Sequence, residues 1–140
     1  MAGKILLEVV TPEKQLLSQQ VDEVIAPGAE GEFGVLPGHC HFLSTLRIGE
    51  LRYRVGDQMN HMAVLWGYAE VTPNRVTIMA EIAEKAEDID VGRAQAAVEK
   101  AEQRLKAGGL PSELKEAEIS LEKARLRKKI AERTSQTGRI

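Results

Sequence analysis

Along the first eighty residues the apolar positions come in short β-rich runs, each stopped by a proline, a glycine or a polar turn. Ile5-Leu6-Leu7-Glu8-Val9-Val10 ends at Thr11-Pro12, and Val21-Asp22-Glu23-Val24-Ile25-Ala26 ends at Pro27-Gly28. Residues 33–36 and 42–46 form two more such runs. Leu51, Tyr53 and Val55 alternate with Arg52 and Arg54, the period of a half-buried strand, and Gly56-Asp57 turns the chain. Residues 59–66 and 68–72 continue the series; Pro73-Asn74 then leads into residues 75–80. Eight or so short strands at this spacing predict an antiparallel sandwich or barrel, because such sheets need a second layer to bury their apolar face.

Beyond residue 90 the period changes. Ala94, Val98, Ala101 and Leu105 recur at intervals of 4, 3 and 4, and Leu114, Ala117, Leu121 and Ala124 at 3, 4 and 3. Gly108-Gly109-Leu110-Pro111 separates the two patterns, with Ser112 the expected N-cap of the second helix. The fold class is therefore α+β: an N-terminal antiparallel β-sandwich over residues 1–86, then a C-terminal antiparallel two-helix hairpin over residues 87–140. Alanine fills half of the helical seam. At about 25 cal/mol per Å² so small a buried area leaves the hairpin marginal and easily moved.

Composition sharpens that division. All five aromatics lie before residue 69. Residues 1–85 carry 11 acids and 7 bases, while residues 86–140 carry 10 acids and 12 bases. The whole chain has 140 residues, a net charge of −2 and 43% hydrophobic residues, a globular balance that argues against a dedicated nucleic-acid binder. A single cysteine, Cys40, excludes a disulfide framework and fits a reducing compartment. No run is long and apolar enough to span a bilayer, and the N-terminus shows no signal-peptide pattern.

Candidate chemistry is sparse. The glycine-rich stretch from Gly28 to His39 lacks the Gly-Lys-Ser/Thr of a phosphate loop, so its glycines read as turn positions. Its exposed Glu30, Glu32 and His39 could still form a binding surface. His39-Cys40-His41 puts two histidines on one face of an extended segment without a third ligand, so no metal is expected. No nucleophile–base pattern points to catalysis. Residues 123–133 hold six bases and one acid, either a solvated face near a helix end or a dock for an acidic partner. The absence of interleaved aromatics counts against nucleic acid there.

Three segments carry a family resemblance: Gly31-Glu32-Phe33-Gly34-Val35-Leu36-Pro37-Gly38-His39, then residues 67–78 (Gly-Tyr-Ala-Glu-Val-Thr-Pro-Asn-Arg-Val-Thr-Ile), then residues 83–90. In order and spacing they resemble the epsilon subunits of bacterial F-type, proton-translocating ATP synthases. The resemblance implies a non-catalytic rotor (central-stalk) subunit that couples proton flow to ATP synthesis. Its implied partners are the gamma subunit of the shaft, the membrane-embedded proton-carrying ring and, through the helices, the alpha and beta catalytic subunits. It places Glu32 and His39, with Ser44 as a lesser contact, at the shaft and ring interface. The membrane is then met only indirectly, from the cytoplasmic face of the bacterial inner membrane.

The same resemblance makes the C-terminal helices a brake on ATP hydrolysis, with Arg125, Arg127, Lys128 and Lys129 as the inhibitory contact. Ile89-Asp90-Val91-Gly92-Arg93-Ala94 matches a pattern with which some members bind ATP, as a regulatory ligand rather than a required cofactor. Glu84 and Arg125 would complete that site. The plainer reading makes Asp90 a helix N-cap and leaves Arg93 in solvent. From the residues alone, the competing function is a β-sandwich adaptor whose hairpin recruits an acidic protein.

Overall fold

The computed structural model describes residues 3–39 and 41–137, with the side chains of the last helix described through Arg133. Cys40 lies outside the described residues. The chain divides into two units, residues 1–85 and 86–140.

The first unit holds eight strands: β1 (Ile5–Val10), β2 (Gln15–Val21), β3 (Glu23–Gly28), β4 (Gly31–Val35), β5 (Phe42–Leu46), β6 (Gly49–Val55), β7 (Gln58–Thr72) and β8 (Arg75–Lys85). β7 ties them into a sandwich. Its first half pairs with β6 and with the end of β8; its second half pairs with β5 and with the start of β8. One layer thus runs β2, β1, start of β8, second half of β7, β5, and the other runs β4, β3, β6, first half of β7, end of β8. Every pair is antiparallel except β1 with β8, which is parallel. Between the layers lie Ile5, Leu7, Val9, Leu51, Met62, Val64 and Ile78, all excluded from solvent.

Where β7 crosses between layers, Trp66 and Gly67 both take positive φ, 57° and 141°. The two predicted strands 59–66 and 68–72 are therefore one strand with a sharp bend. Gly67 is obligatory there, because a Cβ would collide with the Met79 carbonyl oxygen and the Ala80 backbone of β8.

Two further expectations need correction. The run 21–26 is two strands, since Val21 closes β2 and Asp22 interrupts it to accept from Lys4 Nζ and the Gly56 N–H, each at 2.7 Å. Pro27 and Gly28 do not stop β3 but complete it. Pro27 needs no N–H in that position, and its carbonyl accepts from Arg47 N at 3.1 Å. β2 itself, with polar residues at four of its seven positions, lies at the sheet edge, where the apolar alternation that marks buried strands is absent.

The second unit begins with a 3-10 turn at Ala86–Asp88, followed by α1 (Val91–Ala107) and α2 (Pro111–Thr137). Val98, Ala101, Leu121 and Ala124 form the interior of the hairpin, with Leu105 partly buried against them. α1 ends at Gly108, whose φ is 76°. α2 begins at Pro111 itself, so Ser112 lies in the first turn and is not the N-cap. Leu110 takes that place, its carbonyl accepting from Leu114 N at 3.0 Å. Proline suits the first helical position because its φ is preset and no N–H is needed there. Ion pairs across the hairpin include Arg104–Glu116 at 3.9 Å and Arg125–Glu102 at 3.8 Å.

Candidate interaction surface

The segment Leu36-Pro37-Gly38-His39 is a proline–glycine turn. Gly38 has φ 87°, and His39 N donates to Leu36 O at 3.1 Å, the geometry of a type II turn with glycine third. Gly38 N also donates to Pro73 O at 2.7 Å, which pins the turn to the β7–β8 connection. His39 is half-buried, its ring edge-on to Phe42 with centroids 6.3 Å apart. Phe42 in turn meets Phe33 edge-on at 5.1 Å.

Close by, β3 and β4 are joined by a two-residue tip, Ala29-Glu30, with Gly28 facing Gly31 across the hairpin. Ala29 N donates to Thr45 O at 2.9 Å, so the tip is fastened to β5. Tip and strand enclose an open groove of about 380 Å³ lined by Glu30, Glu32, Phe33, Phe42, Leu43 and Ser44. The sequence-derived interface residues Glu32 and Ser44 thus share one groove, and His39 is tied to it through Phe42. Ser44 is half-buried and donates its hydroxyl to Thr45 O at 2.9 Å. Glu32 is exposed, yet both of its oxygens accept from Arg52 Nη2 at 3.0 Å.

Sequence reasoning missed the neighbouring apolar surface. Thr45, Tyr68, Met79 and Val10 line up across β5, β7, β8 and β1 on the outward face of their layer. Tyr68 is 55% exposed and Met79 39%; Leu43, two residues before Thr45 on that face, is 69% exposed. Trp66, Tyr68 and Met79 also line a second open groove, about 540 Å³, at the bend of β7. An apolar sheet face left in water is a docking surface by default. The signal was present in the order of residues. Tyr68 and Met79 occupy the outward positions of strands whose intervening residues, Ala69, Ile78 and Ala80, are buried.

In the helical unit, Asp90 is the N-cap of α1, its Oδ1 accepting from Arg93 N at 3.1 Å. Arg93 is exposed, Ile89 half-buried and Ala94 buried. Glu84 belongs to the other unit, on β8. Asp90, Arg93 and Ala94 together form the start of α1. Arg125 is exposed but faces Glu102 on α1, so the basic stretch does have an acidic counterpart inside the hairpin. Arg127 and Lys128 are half-buried and Lys129 is exposed. Among the described residues no three histidine, cysteine or acidic side chains gather as a metal site, and no helix is long and apolar enough to cross a membrane.

Residues 4–86 match the family described as "ATP synthase, Delta/Epsilon chain, beta-sandwich domain", and residues 87–132 match "ATP synthase, Delta/Epsilon chain, long alpha-helix domain". The ATP synthase epsilon chain of Syntrophobacter fumaroxidans is 55% identical over 134 residues, covering 96% of this chain and all of that one. That of Geobacter metallireducens is 50% identical, covering 94% of this chain and 96% of the other. A chain of the Euglena gracilis mitochondrial ATP synthase OSCP/F1/c-ring structure superposes with a TM-score of 0.78 at 25% identity, over 89% of this chain and 79% of that one. A chain of the Tetrahymena thermophila mitochondrial ATP synthase central stalk/c-ring structure shares the fold at a TM-score of 0.59 and 16% identity, over 93% and 98% of the two chains. With a sandwich and a helical unit matched in the same order over nearly the whole length, the chain belongs to the delta/epsilon chain family of ATP synthases.

Proposed function

We propose that this chain is a non-catalytic central-stalk subunit of a proton-driven rotary ATP synthase, with the sandwich as the docking platform and the hairpin as a restraint on ATP hydrolysis. The observation that carries the platform is the surface just described. Exposed Leu43, Tyr68 and Met79 adjoin the groove of Glu30, Glu32, Phe42 and Ser44. The apolar part suits a packed protein partner, read as the gamma subunit of the shaft. The polar tip suits the loops of the membrane-embedded proton-carrying ring, where charge sets register more than affinity. Membrane contact is then peripheral and indirect, at the cytoplasmic face of the bacterial inner membrane.

Support for the restraint lies in the small side chains of the hairpin interior and in its exposed ion pairs, which hold it by a modest free energy. An element so held is moved by any partner that binds its alternative state a few kcal/mol more tightly. Acidic segments of the alpha and beta catalytic subunits are that partner, met by Arg125, Arg127, Lys128 and Lys129. ATP is proposed as a regulatory ligand of the hairpin and not as a required cofactor. Arg93 offers the exposed cation for its phosphates, while Arg125 is engaged by Glu102.

The test is the assembled enzyme with full-length chain, with residues 90–140 removed, and with the four basic residues neutralised. Truncation should leave assembly and synthesis intact and raise hydrolysis, and neutralisation should do so in part. Equal hydrolysis from all three would end the restraint reading. Replacing Glu32 and His39 together by alanine should weaken coupled proton pumping; wild-type pumping would remove the loop from the interface.

A further inference from the structure

Glu32 is one end of a chain of charges. Arg52 Nη2 donates to both of its oxygens at 3.0 Å. Behind Arg52 stands Glu50, whose Oε1 lies 3.6 Å from Arg52 Nε, and whose other oxygen, Oε2, lies 3.1 Å from His61 Nδ1. The chain crosses the outward face of the β4-β3-β6-β7 layer: Arg52 pairs with Ile25 on one side and with His61 on the other. Exposure falls sharply along it. The Glu32 side chain is 49% exposed, Arg52 26%, His61 14% and Glu50 only 6%.

Such an arrangement is more than a surface ion pair. A carboxylate as buried as Glu50 needs partners, and Arg52 and His61 supply them from two strands. Arg52 is therefore fixed at its base, although its buried Nε is too far from Glu50 for a hydrogen bond and donates to no other described atom. A fixed guanidinium holds a carboxylate better than a mobile lysine, because its planar fork is already oriented. Glu32, by contrast with its neighbour, spends its charge inside the molecule. Glu30, at the exposed hairpin tip, has no hydrogen bond or ion pair among the described residues.

We propose that Arg52 is a positioning residue for the rotor-facing loop: braced by Glu50 and His61, it locks Glu32 as an internal strut of β4, so that the uncompensated charge the loop presents to a cationic partner is that of Glu30. This rests on the reading that the loop meets the rest of the rotor. It divides two carboxylates that the sequence presents as equals. Glu32 sets where the tip stands, and Glu30 meets the partner.

The experiment uses the complete ATP synthase in inverted membrane vesicles and measures proton pumping per ATP hydrolysed, alongside thermal melting of the isolated full-length chain. Arg52→Gln, which keeps the stem but loses the fork, should lower the pumping ratio measurably below wild type. The charge exchange Glu32→Arg with Arg52→Glu, made together with Glu50→Gln so that no second carboxylate faces buried Glu50, restores the internal pair with its polarity reversed, and it should recover most of the ratio. Glu30→Gln should lower the ratio and flatten its dependence on salt, without changing the melting temperature.

Wild-type pumping by Arg52→Gln overturns the proposal. So does an exchange variant that folds yet pumps as poorly as Glu32→Ala, because the Glu32 carboxylate would then itself touch the partner. If the exchange variant fails to melt cooperatively, Arg52→Lys decides instead. A ratio between those of wild type and Arg52→Gln supports the fork, and a ratio equal to wild type overturns it. Leu43→Asp blocks the same surface without touching the charge chain. Undisturbed assembly in that variant sinks the interface reading, whereas lost assembly beside wild-type Arg52→Gln sinks only the role of Arg52.

Discussion

The two units bury different things. The sandwich closes over large aliphatic side chains, Ile5, Leu7, Leu51, Met62 and Ile78, all fully excluded from solvent and drawn from strands far apart in sequence. The hairpin closes over Val98, Ala101, Leu121 and Ala124, residues from two helices joined by a three-residue link. Each removed methylene is worth about 0.8 kcal/mol, so an alanine seam gives each turn of helix far less than a valine or leucine layer gives each strand. Close approach of the helices does not make up the difference. The same chain thus supplies a platform that keeps its shape and an element whose position is open to outside influence, and the contrast lies in side-chain size rather than in secondary structure.

Separating the units gives the largest expected difference. Residues 1–85 alone should melt cooperatively, because the core of large aliphatic side chains lies entirely among their own strands. Residues 86–140 alone should show reduced helix by circular dichroism, since the alanine-rich seam between the two helices buries little apolar area. A hairpin fragment that is fully helical at low concentration would break the comparison.

Point substitutions sharpen it. Gly67→Ala places a Cβ against the β8 backbone at a φ that L residues avoid, and Leu7→Ala empties a sealed site. Each should cost about 3 kcal/mol in urea unfolding of the full chain. Leu121→Ala should cost nearer 2 kcal/mol, because its neighbours are small and it retains some exposure. That loss should register as faster amide exchange confined to α1 and α2. Should Leu121→Ala speed exchange in β1 and β8 equally, the two units unfold as one and the contrast fails.

Legibility followed the same line. β6 announces itself by alternation, β1 and β5 by short β-rich runs, and the alanine seam by its 3–4 spacing. β2 stayed hidden because an edge strand with polar faces has no alternation to show. The bend at Trp66-Gly67 was visible only as a glycine between two runs. Whether that glycine ends a strand or bends one depends on β8 running alongside, and no local pattern records that. At the surface, Glu32, His39 and Ser44 could be picked out by their turn chemistry and family pattern, but their internal partners could not. Arg52 and Glu50 are 20 and 18 residues from Glu32 and reach it only through strand order. Asp90 was legible in both senses, as a cap and as part of a motif, and the backbone N–H of Arg93 takes its carboxylate.

Smaller effects are expected from the ion pairs across the hairpin. Arg125 and Glu102 are 62% and 45% exposed, so solvent screens most of their attraction. Arg125→Gln should destabilise the isolated chain by less than about 0.5 kcal/mol, and the change should vanish in high salt. Its effect on hydrolysis by the assembled enzyme should be larger than its effect on stability, if the guanidinium leaves Glu102 for the catalytic subunits. A stability loss of the size seen for Leu121→Ala would make Arg125 a structural residue of the hairpin.

The smallest expected effect is confined by pH and lies wholly in the sandwich. Asp22 accepts from Lys4 Nζ and from the Gly56 N–H, with Arg54 Nη1 at 4.0 Å. The Lys4 hydrogen bond first, then the Gly56 N–H, hold its carboxyl below the usual aspartate value of 3.8, against the opposing pull of partial burial. Because the folded-state value is the lower one, the folded protein binds fewer protons than the unfolded chain in this range. Asp22 therefore contributes stability in full above its unfolded pKa, and that contribution is lost as pH falls through the depressed folded value. The stability gap between wild type and Asp22→Asn should accordingly be flat from pH 7 to about 5 and shrink below about 4. Amide exchange in the hairpin should be indifferent to the substitution, since Asp22 joins β2, β3 and the β6–β7 turn of the other unit. A gap that stayed constant down to pH 3 would mean that the contacts of Asp22 do not distinguish carboxylate from amide, and that its place in the sandwich is one of shape alone.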